Sequence, residues 1–338
     1  MWVGVAAGLY LFVIGLTGAI LVFRQDLQRA AYPQFFAPPR GRNAPTAEVG
    51  AVLADLRLHY PGAHVSGIDW PTDRRDSFLA YVSNGGDFRT VFSHPVSGRV
   101  IGELPYDWIR RVQDLHFELL GVRTGRNVNG IGALACLVMV GSGLIIWTSA
   151  RRRTGVRNVH ALIGVGCALW LLTWGATGAW FSVPQLVRPA FNAVLPQTLA
   201  RAPDSRASAD ADAHLAPEAF VERARRVVPR AQLARLVMPF TARSAFLVVM
   251  ARDIHGDVDT SDEVQLWFDR YTGEPLELRD QAVRTRGDWV AAWITPIHTG
   301  SFGGLPIKLV WAGAALGIPV LSGTGLWIWA IRRSRRAA

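Results

Sequence analysis

The stretch GLTGA at residues 15–19 returns as GATGA at residues 175–179, 160 residues further along the chain. In the same way, GSGL at residues 141–144 returns as GTGL at residues 323–326, at an offset of 182. All four copies lie inside apolar segments, so the sequence predicts two halves that each contribute two membrane helices. Because both halves would then enter the membrane in the same direction, they would form a parallel repeat related by an axis along the membrane normal.

Transmembrane helices are predicted at residues 1–23, 128–149, 159–183 and 305–331. Charged residues are absent from these segments, apart from Lys308 near the start of the last one. Each segment is long enough to span a bilayer core of about 30 Å as a helix. The thirteen tryptophans agree with this prediction, because tryptophan favours the membrane–water interface.

The orientation of the helices follows from the arginines. The short loop 150–158 and the tail 332–338 each carry four arginines, which places both of them, and both chain termini, in the cytoplasm. The net charge of +10 therefore arises from arginines that flank membrane helices, and we expect the lipid bilayer, not nucleic acid, as the partner. The first segment is not expected to be a signal peptide, because it lacks a basic start and an evident A-x-A cleavage site.

Two α+β domains are predicted outside the membrane, at residues 46–104 and 215–280. Each begins with a helical pattern, continues with strand-like runs and closes with a glycine-containing turn, at Ser97-Gly98 and Thr272-Gly273. The predicted fold is a membrane α-helical bundle of four transmembrane helices with two external α+β domains and an internal parallel two-fold repeat.

His116 and His298 are the strongest candidates for a functional site. They lie 182 residues apart, in the matched segments 105–127 and 281–304, and glycines follow both. Ionisable side chains at a membrane are costly and tend to be functional, and a haem with two axial histidines needs two imidazoles on opposite faces. The matched positions favour such a haem, with packing of the two histidines at an interface as the alternative.

His160 is a third candidate, near the cytoplasmic side. Its counterpart in the first half would be the position just before Met1, so a second site there lacks a partner in this sequence. The remaining five histidines are predicted to be surface residues: His59, His64, His94, His214 and His255. Neither H-E-x-x-H nor C-x-x-C spacing occurs, which disfavours zinc, and Cys136 and Cys167 are predicted to be packing residues.

The order and spacing of these motifs resemble the PepSY-associated transmembrane proteins over nearly the whole chain. The matching pieces include Leu115-His116 with Gly121, His160 with Gly164, Ile297-His298-Thr299-Gly300 and the turn from Asp269 to Glu274. The resemblance implies a multi-pass protein of the bacterial inner membrane. It also implies that the two external domains are periplasmic PepSY-like domains.

Members of this family include inner-membrane reductases of ferric siderophores. The resemblance therefore implies haem b, one or two per chain, electron transfer to a periplasmic ferric siderophore, release of Fe(II) for iron uptake, and a separate cytoplasmic or membrane electron donor. It implies that His116 and His298 hold the outer haem. It also implies that His160 pairs with a histidine that opens the first helix, whereas this sequence begins Met1-Trp2-Val3-Gly4. Either the start is truncated or misassigned, which we favour, or the inner haem is altered.

Two other functions are compatible with the sequence. The paired PepSY-like domains could bind or inhibit peptidases without any enzymatic activity, in which case the histidines are packing residues. The chain could also be a haem electron carrier for another periplasmic acceptor. Haem content distinguishes the first alternative from the reductase, and activity on a ferric chelate distinguishes the second.

Overall fold

The computed structural model describes residues 2–36, 46–71, 77–149, 154–198, 202–206, 215–252 and 263–337. Met1, the arginine run 151–153, His214 and His255 lie outside the described residues. The chain divides into two compact units. The helical unit comprises Met1–Leu27, Tyr106–Pro196 and Val290–Ala338, and the sheet unit comprises Gln28–Pro105 and Gln197–Trp289.

The described helices, in chain order, are α1 (Trp2–Leu21), α2 (Arg24–Ala31), α3 (Pro33–Phe36), α4 (Val49–His59), α5 (Trp108–Glu118), α6 (Val122–Ser149), α7 (Val156–Ser182), α8 (Pro184–Val194), α9 (Pro217–Val227), α10 (Arg286–Thr299) and α11 (Gly304–Ala337). The described strands are β1 (His64–Asp69), β2 (Phe78–Asn84), β3 (Asp87–Ser93), β4 (Val100–Glu103), β5 (Gln232–Val237), β6 (Phe246–Ala251), β7 (Glu263–Phe268) and β8 (Pro275–Asp280).

Three helical segments among the described residues are long and apolar enough to cross a membrane: α6, α7 and Ser301–Ser334, which contains most of α11. The first predicted span is long and apolar enough only if Val5–Leu21 and Arg24–Ala31 are counted as one broken helix. The two pieces are bent by 56° relative to each other. The helices extend beyond the predicted apolar segments. α6 begins at Val122 instead of 128, because helical hydrogen bonding continues through polar residues that hydropathy does not mark.

Glycines bring the long helices of the helical unit close together. α1 packs against α11, α6 against α7, and α7 against α11. A Cβ atom at Gly15 would lie 2.7 Å from the Cβ of Ile318, and one at Gly175 would lie 2.7 Å from Cδ2 of Leu137. Small residues of this kind allow close helix packing in lipid. The first glycine of each GxTGA motif therefore serves helix packing.

The eight described strands form one antiparallel sheet, in the order β4-β3-β2-β1-β5-β6-β7-β8. The two predicted α+β domains are thus the two halves of a single sheet, joined where β1 pairs with β5. At this junction a Cβ at Gly67 would lie 3.0 Å from the carbonyl oxygen of Leu236, and Arg235 donates to the carboxylate of Asp69. The sequence predicts two separate domains because each half, taken alone, shows a complete strand pattern.

One hydrophobic core serves both halves of the sheet. The helices α4 and α9 contribute Leu56 and Phe220 to it, and β1 and β5 contribute Ile68 and Leu236, all at most 1% exposed. Phe220 also stacks on Phe246 with ring centroids 4.2 Å apart. Because side chains from both halves are removed from water together, burial favours the joined sheet over two separate halves.

The closing turns of the two halves are built alike. In the second turn, Asp269 is fully buried, and its Oδ1 accepts from the backbone N–H groups of Tyr271 and Thr272 at 2.9 and 3.0 Å. In the first turn, Nδ1 of His94 accepts from the backbone N–H groups of Val96 and Ser97, both at 3.3 Å. His94 therefore has a structural role in its turn, beyond the surface position that the sequence predicted.

Replacing Asp269 should destabilise the second half of the sheet. Its Oδ2 also accepts from the backbone N–H of Arg206 at 2.6 Å, so Asp269→Ala leaves three backbone donors without their acceptor. We expect a loss of about 3 kcal/mol or more in the free energy of local opening, since an unsatisfied buried donor costs about 1–3 kcal/mol. Asp269→Asn, which keeps Oδ1, should lose less.

Hydrogen exchange of β7 and β8 in the full-length protein in detergent measures this free energy. Asp87→Ala is the matched control, because Asp87 begins β3 directly after another turn of the same sheet and forms an exposed ion pair with Arg89. That change should cost less than about 1 kcal/mol. Equal effects of the Asp269 and Asp87 substitutions would contradict the structural role of Asp269.

Candidate functional site

The two histidines that the sequence pairs lie at the ends of two short helices. His116 is in the last turn of α5, which begins where the side chain of Asp107 accepts from the backbone N–H of Arg110 at 2.9 Å. α5 ends at Glu118 and is followed by Leu119, which has a left-handed backbone (φ 48°). His298 is in the last turn of α10, which is followed by Gly300 with φ 70°. The predicted histidine segments are thus helical.

The structure brings the rings of His116 and His298 next to each other. Their centroids are 6.4 Å apart and their planes are inclined by 62°. Both side chains are partly buried. Burial removes water from the rings and so holds the pKa of each imidazole below its usual value. The neighbouring His116 lowers the pKa of His298 further. Both rings are therefore neutral at pH 7, the state in which histidine binds metals.

Each ring of the pair is held by a threonine on a long helix. Nδ1 of His116 lies 2.9 Å from Oγ1 of Thr17 on α1, and Nδ1 of His298 lies 2.7 Å from Oγ1 of Thr177 on α7. Within the described residues, Nε2 of neither ring makes a hydrogen bond. The ring nitrogen that a metal would use is therefore the one that the protein leaves unbonded.

His160 is held in the same way at a different place. Its Nδ1 lies 2.8 Å from Oγ1 of Thr324 on α11. Along α7, His160 is 17 residues from Thr177, the threonine that holds His298, which corresponds to about 26 Å at roughly 1.5 Å per residue. The structure therefore brings His116 and His298 together and leaves His160 apart from them.

A glycine follows each of these threonines, and two of the glycines lie against an imidazole. A Cβ at Gly18 would lie 3.2 Å from Cε1 of His116, and one at Gly325 would lie 3.5 Å from Cε1 of His160. At Gly18 the added atom is closer than ordinary van der Waals contact allows. The absence of a side chain at Gly18 thus lets the ring reach the hydroxyl of Thr17.

The backbone ends of both short helices are fixed by donors from the long helices. Nδ2 of Asn129 on α6 donates to the carbonyl oxygens of His116 and Phe117, both at 2.8 Å. For α10, Nε1 of Trp174 donates to the carbonyl oxygen of His298 at 2.9 Å, and Nε1 of Trp311 donates to that of Ile297 at 2.7 Å. Asn129 and Trp311, which are 182 residues apart, thus both donate to backbone carbonyl groups in the last turn of a short helix.

The arrangement fits one metal atom held between two imidazoles. Metal–nitrogen bonds to histidine are about 2 Å long, so two imidazoles on opposite sides of one metal have ring centroids about 6 Å apart. The observed 6.4 Å agrees with that separation. Among the described residues there is no group of three or more His, Cys, Asp or Glu side chains that could bind a metal. Two ligands suit a haem, whose macrocycle supplies the other four nitrogens.

The other described histidines and the cysteines contribute no further ligands here. His59 contacts Asp55 one turn before it, and His64 packs edge-on against Phe240. The thiols of Cys136 and Cys167 are free and lie 3.9 Å from helix carbonyl oxygens.

The site residues other than histidine were not predicted from the sequence. The three threonines were visible in the repeated motifs, but helix packing accounts equally well for a Thr-Gly pair in an apolar segment. Asn129 was a stronger signal, since it is a polar side chain in a predicted membrane helix with no partner assigned.

Comparison with known proteins agrees with this architecture. No curated protein matches the chain at a significant level. The family model described as the PepSY-associated TM region matches residues 1–332. The match covers both units and all three histidines that contact threonine. The chain therefore belongs to the PepSY-associated transmembrane family.

Proposed function

We propose that this protein is a haem-containing reductase of the bacterial inner membrane that passes electrons to a periplasmic ferric siderophore. In this proposal His116 and His298 would hold one haem b. The observation that supports it most is a pair of neutral imidazoles whose ring centroids lie 6.4 Å apart. Each ring is hydrogen-bonded through Nδ1, and its Nε2 makes no hydrogen bond within the described residues. When bound, the haem supplies one-electron transfer at a potential set by its ligands and its burial.

The residues of the chain have separate tasks in this proposal. The two histidines bind iron, and Thr17 and Thr177 orient their rings. Phe181 lies edge-on to the ring of His298, with centroids 5.3 Å apart, and limits access of water to it. Asn129, Trp174 and Trp311 hold the short helices, so the distance between the ligands is set before a cofactor binds. Such preorganisation strengthens binding because no ordering is needed on association.

The direction of electron transfer follows from the arginines. Arg157 lies at the start of α7 and Arg333 near the end of α11, whereas Thr177 lies near the opposite end of α7. From the positive-inside rule we expect these arginines in the cytoplasm, and we propose that the histidine pair lies towards the periplasm. His160, near the arginine end of α7, is proposed as one ligand of a second haem, and the described residues place no second histidine beside it.

The chemistry that releases iron is a one-electron reduction. A siderophore holds Fe(III) through hard oxygen ligands, and Fe(II), with its lower charge, is bound less tightly and is released. The electron donor is proposed to be a separate protein or a membrane reductant, because the sequence contains no nucleotide-binding motif for a cofactor of its own. The sheet unit is proposed to lie in the periplasm, where the chelate docks.

Replacing either histidine of the pair should remove the haem that the pair holds. For His116→Ala and His298→Ala, we expect loss of one low-spin haem per chain and loss of ferric-siderophore reduction, because a single imidazole cannot hold the iron from both sides. Haem content and reduced-minus-oxidised spectra of detergent-purified protein measure the first effect. A colorimetric Fe(II) chelator measures the second.

His59→Ala is the matched control, since His59 is an exposed residue of the sheet unit whose ring contacts Asp55, and it should keep both properties. Retained haem in His298→Ala would contradict the assignment of the ligands. A wild-type protein without haem, expressed with ample haem supply, would favour a PepSY module that binds peptidases. Haem without activity on any ferric siderophore would favour an electron carrier for another acceptor.

A side chain at Gly18 should weaken haem binding although both proposed ligands are kept. Gly18→Leu would push the ring of His116 away from Thr17, because even a Cβ lies 3.2 Å from Cε1 of that ring. We expect haem affinity to fall by about 10–100-fold, as for other changes that disturb a ligand's orientation. Gly166→Leu is the control, since a Cβ there meets no atom within 4 Å. Equal haem occupancy in both variants would contradict the role of Gly18.

A further inference from the structure

The repeated motifs of the long helices α1, α6, α7 and α11 contain the hydroxyl–glycine pairs Thr17-Gly18, Ser142-Gly143, Thr177-Gly178 and Thr324-Gly325. Three of them hold a described histidine through Nδ1. We propose that these three threonines are positioning residues that fix the histidines in the tautomer with hydrogen on Nδ1, and so present the lone pair of Nε2 to a metal. The identity of that metal as haem iron rests on the proposed function, whereas the tautomer does not.

The position of the hydroxyl proton follows from a second contact of each threonine. Oγ1 of Thr17 lies 2.7 Å from the carbonyl oxygen of Val13, one turn earlier in its helix. The corresponding distance is 2.7 Å for Thr177 and Thr173, and 2.9 Å for Thr324 and Val320. A carbonyl oxygen can only accept, and a hydroxyl has one proton to donate. The proton of each threonine therefore lies between Oγ1 and the carbonyl oxygen.

The tautomer of each histidine is then determined. Once its proton is donated to the carbonyl, the hydroxyl can only accept from the imidazole, so Nδ1 must carry a hydrogen. The opposite arrangement, with the hydroxyl donating to Nδ1, would place two oxygen lone pairs 2.7 to 2.9 Å apart with no proton between them. That arrangement is repulsive, and a neutral ring protonated on Nδ1 has its lone pair on Nε2.

The threonines also affect the electronic character of a bound metal. An acceptor at Nδ1–H raises the basicity of the ligating nitrogen, and a carboxylate does so more strongly than a hydroxyl. A threonine hydroxyl thus orients the ring while donating little extra electron density. Removing the acceptor should make the histidine a weaker donor, which stabilises Fe(III) less and raises the reduction potential.

The decisive experiment measures the tautomer in full-length protein without haem. Histidine-selective ¹⁵N labelling and NMR in bilayers report which ring nitrogen carries hydrogen, and the signals of His298 are assigned by their loss in His298→Ala. In wild type and in Thr177→Ser we expect hydrogen on Nδ1. In Thr177→Val, which removes the hydroxyl at similar volume, we expect a mixture of tautomers or hydrogen on Nε2. Thr173→Val, one turn earlier on α7, is the matched control and should resemble wild type.

Hydrogen on Nε2 of His298 in wild type, or an unchanged tautomer in Thr177→Val, would overturn the inference. Neither outcome depends on haem, so the inference and the proposed reductase function can fail separately. Protein that shows the expected tautomers but binds no haem would refute the haem assignment and leave the threonine role intact.

With haem present, the two sites should respond to different threonines. Thr177→Val should weaken haem binding at the histidine pair by about 10–100-fold and raise the potential of that haem, whereas Thr177→Ser should restore both towards wild type. Thr324→Val, which removes the acceptor of His160, should leave the potential at the pair unchanged. Equal shifts of that potential in Thr177→Val and Thr324→Val would contradict a site-specific role.

Discussion

The hydrogen bond between an imidazole on one helix and a threonine hydroxyl on another is the contact on which the helical unit depends. It ties α5 to α1 and α10 to α7, and so brings His116 and His298 from distant parts of the chain to one place. The same contact between His160 and Thr324 ties α7 to α11. Each of these bonds uses a hydroxyl whose proton already satisfies a carbonyl of its own helix, which leaves the imidazole as the donor.

Polar contacts have this organising effect because the surroundings are apolar. Burial alone favours close packing of the long helices but does not select one orientation of a side chain. Donors such as Asn129 and Trp311 reach the ends of α5 and α10, where helix carbonyl groups lack partners within the helix. Gly15 lets α1 approach α11 closely, and Gly18 lets the ring of His116 approach α1. Packing and hydrogen bonding therefore specify the same arrangement.

Much of the fold could be predicted from the sequence, because the dominant signals are local. Apolar length marked α6, α7 and α11, and alternating patterns marked most strands. The ends of the helices were less accurate, since helical hydrogen bonding extends past the apolar residues, as at Val122. The joining of β1 to β5 was not predictable, because it depends on an edge-to-edge contact between residues such as Gly67 and Val237, far apart in sequence.

The site shows the same division between local and distant information. The offset of 182 paired His116 with His298, and the structure places the centroids of their rings 6.4 Å apart. The threonines were part of a visible repeat, yet their partners lie up to 164 residues away, so the repeat alone could not separate a ligand-orienting role from helix packing. The role of His94, in contrast, depends on neighbours in its own turn, because its ring accepts from the backbone N–H groups of Val96 and Ser97. It was not predicted because an aspartate, Asp269, has this role in the other closing turn.

The central claim is that one haem iron is held by His116 and His298. Electron paramagnetic resonance of the oxidised, detergent-purified protein tests it most directly, because the spectrum reports the spin state and the axial ligands of ferric haem. The account predicts a low-spin signal of bis-histidine type that disappears in His298→Ala and persists in His59→Ala. A high-spin haem in the wild type, or a low-spin signal that survives loss of His298, would contradict it.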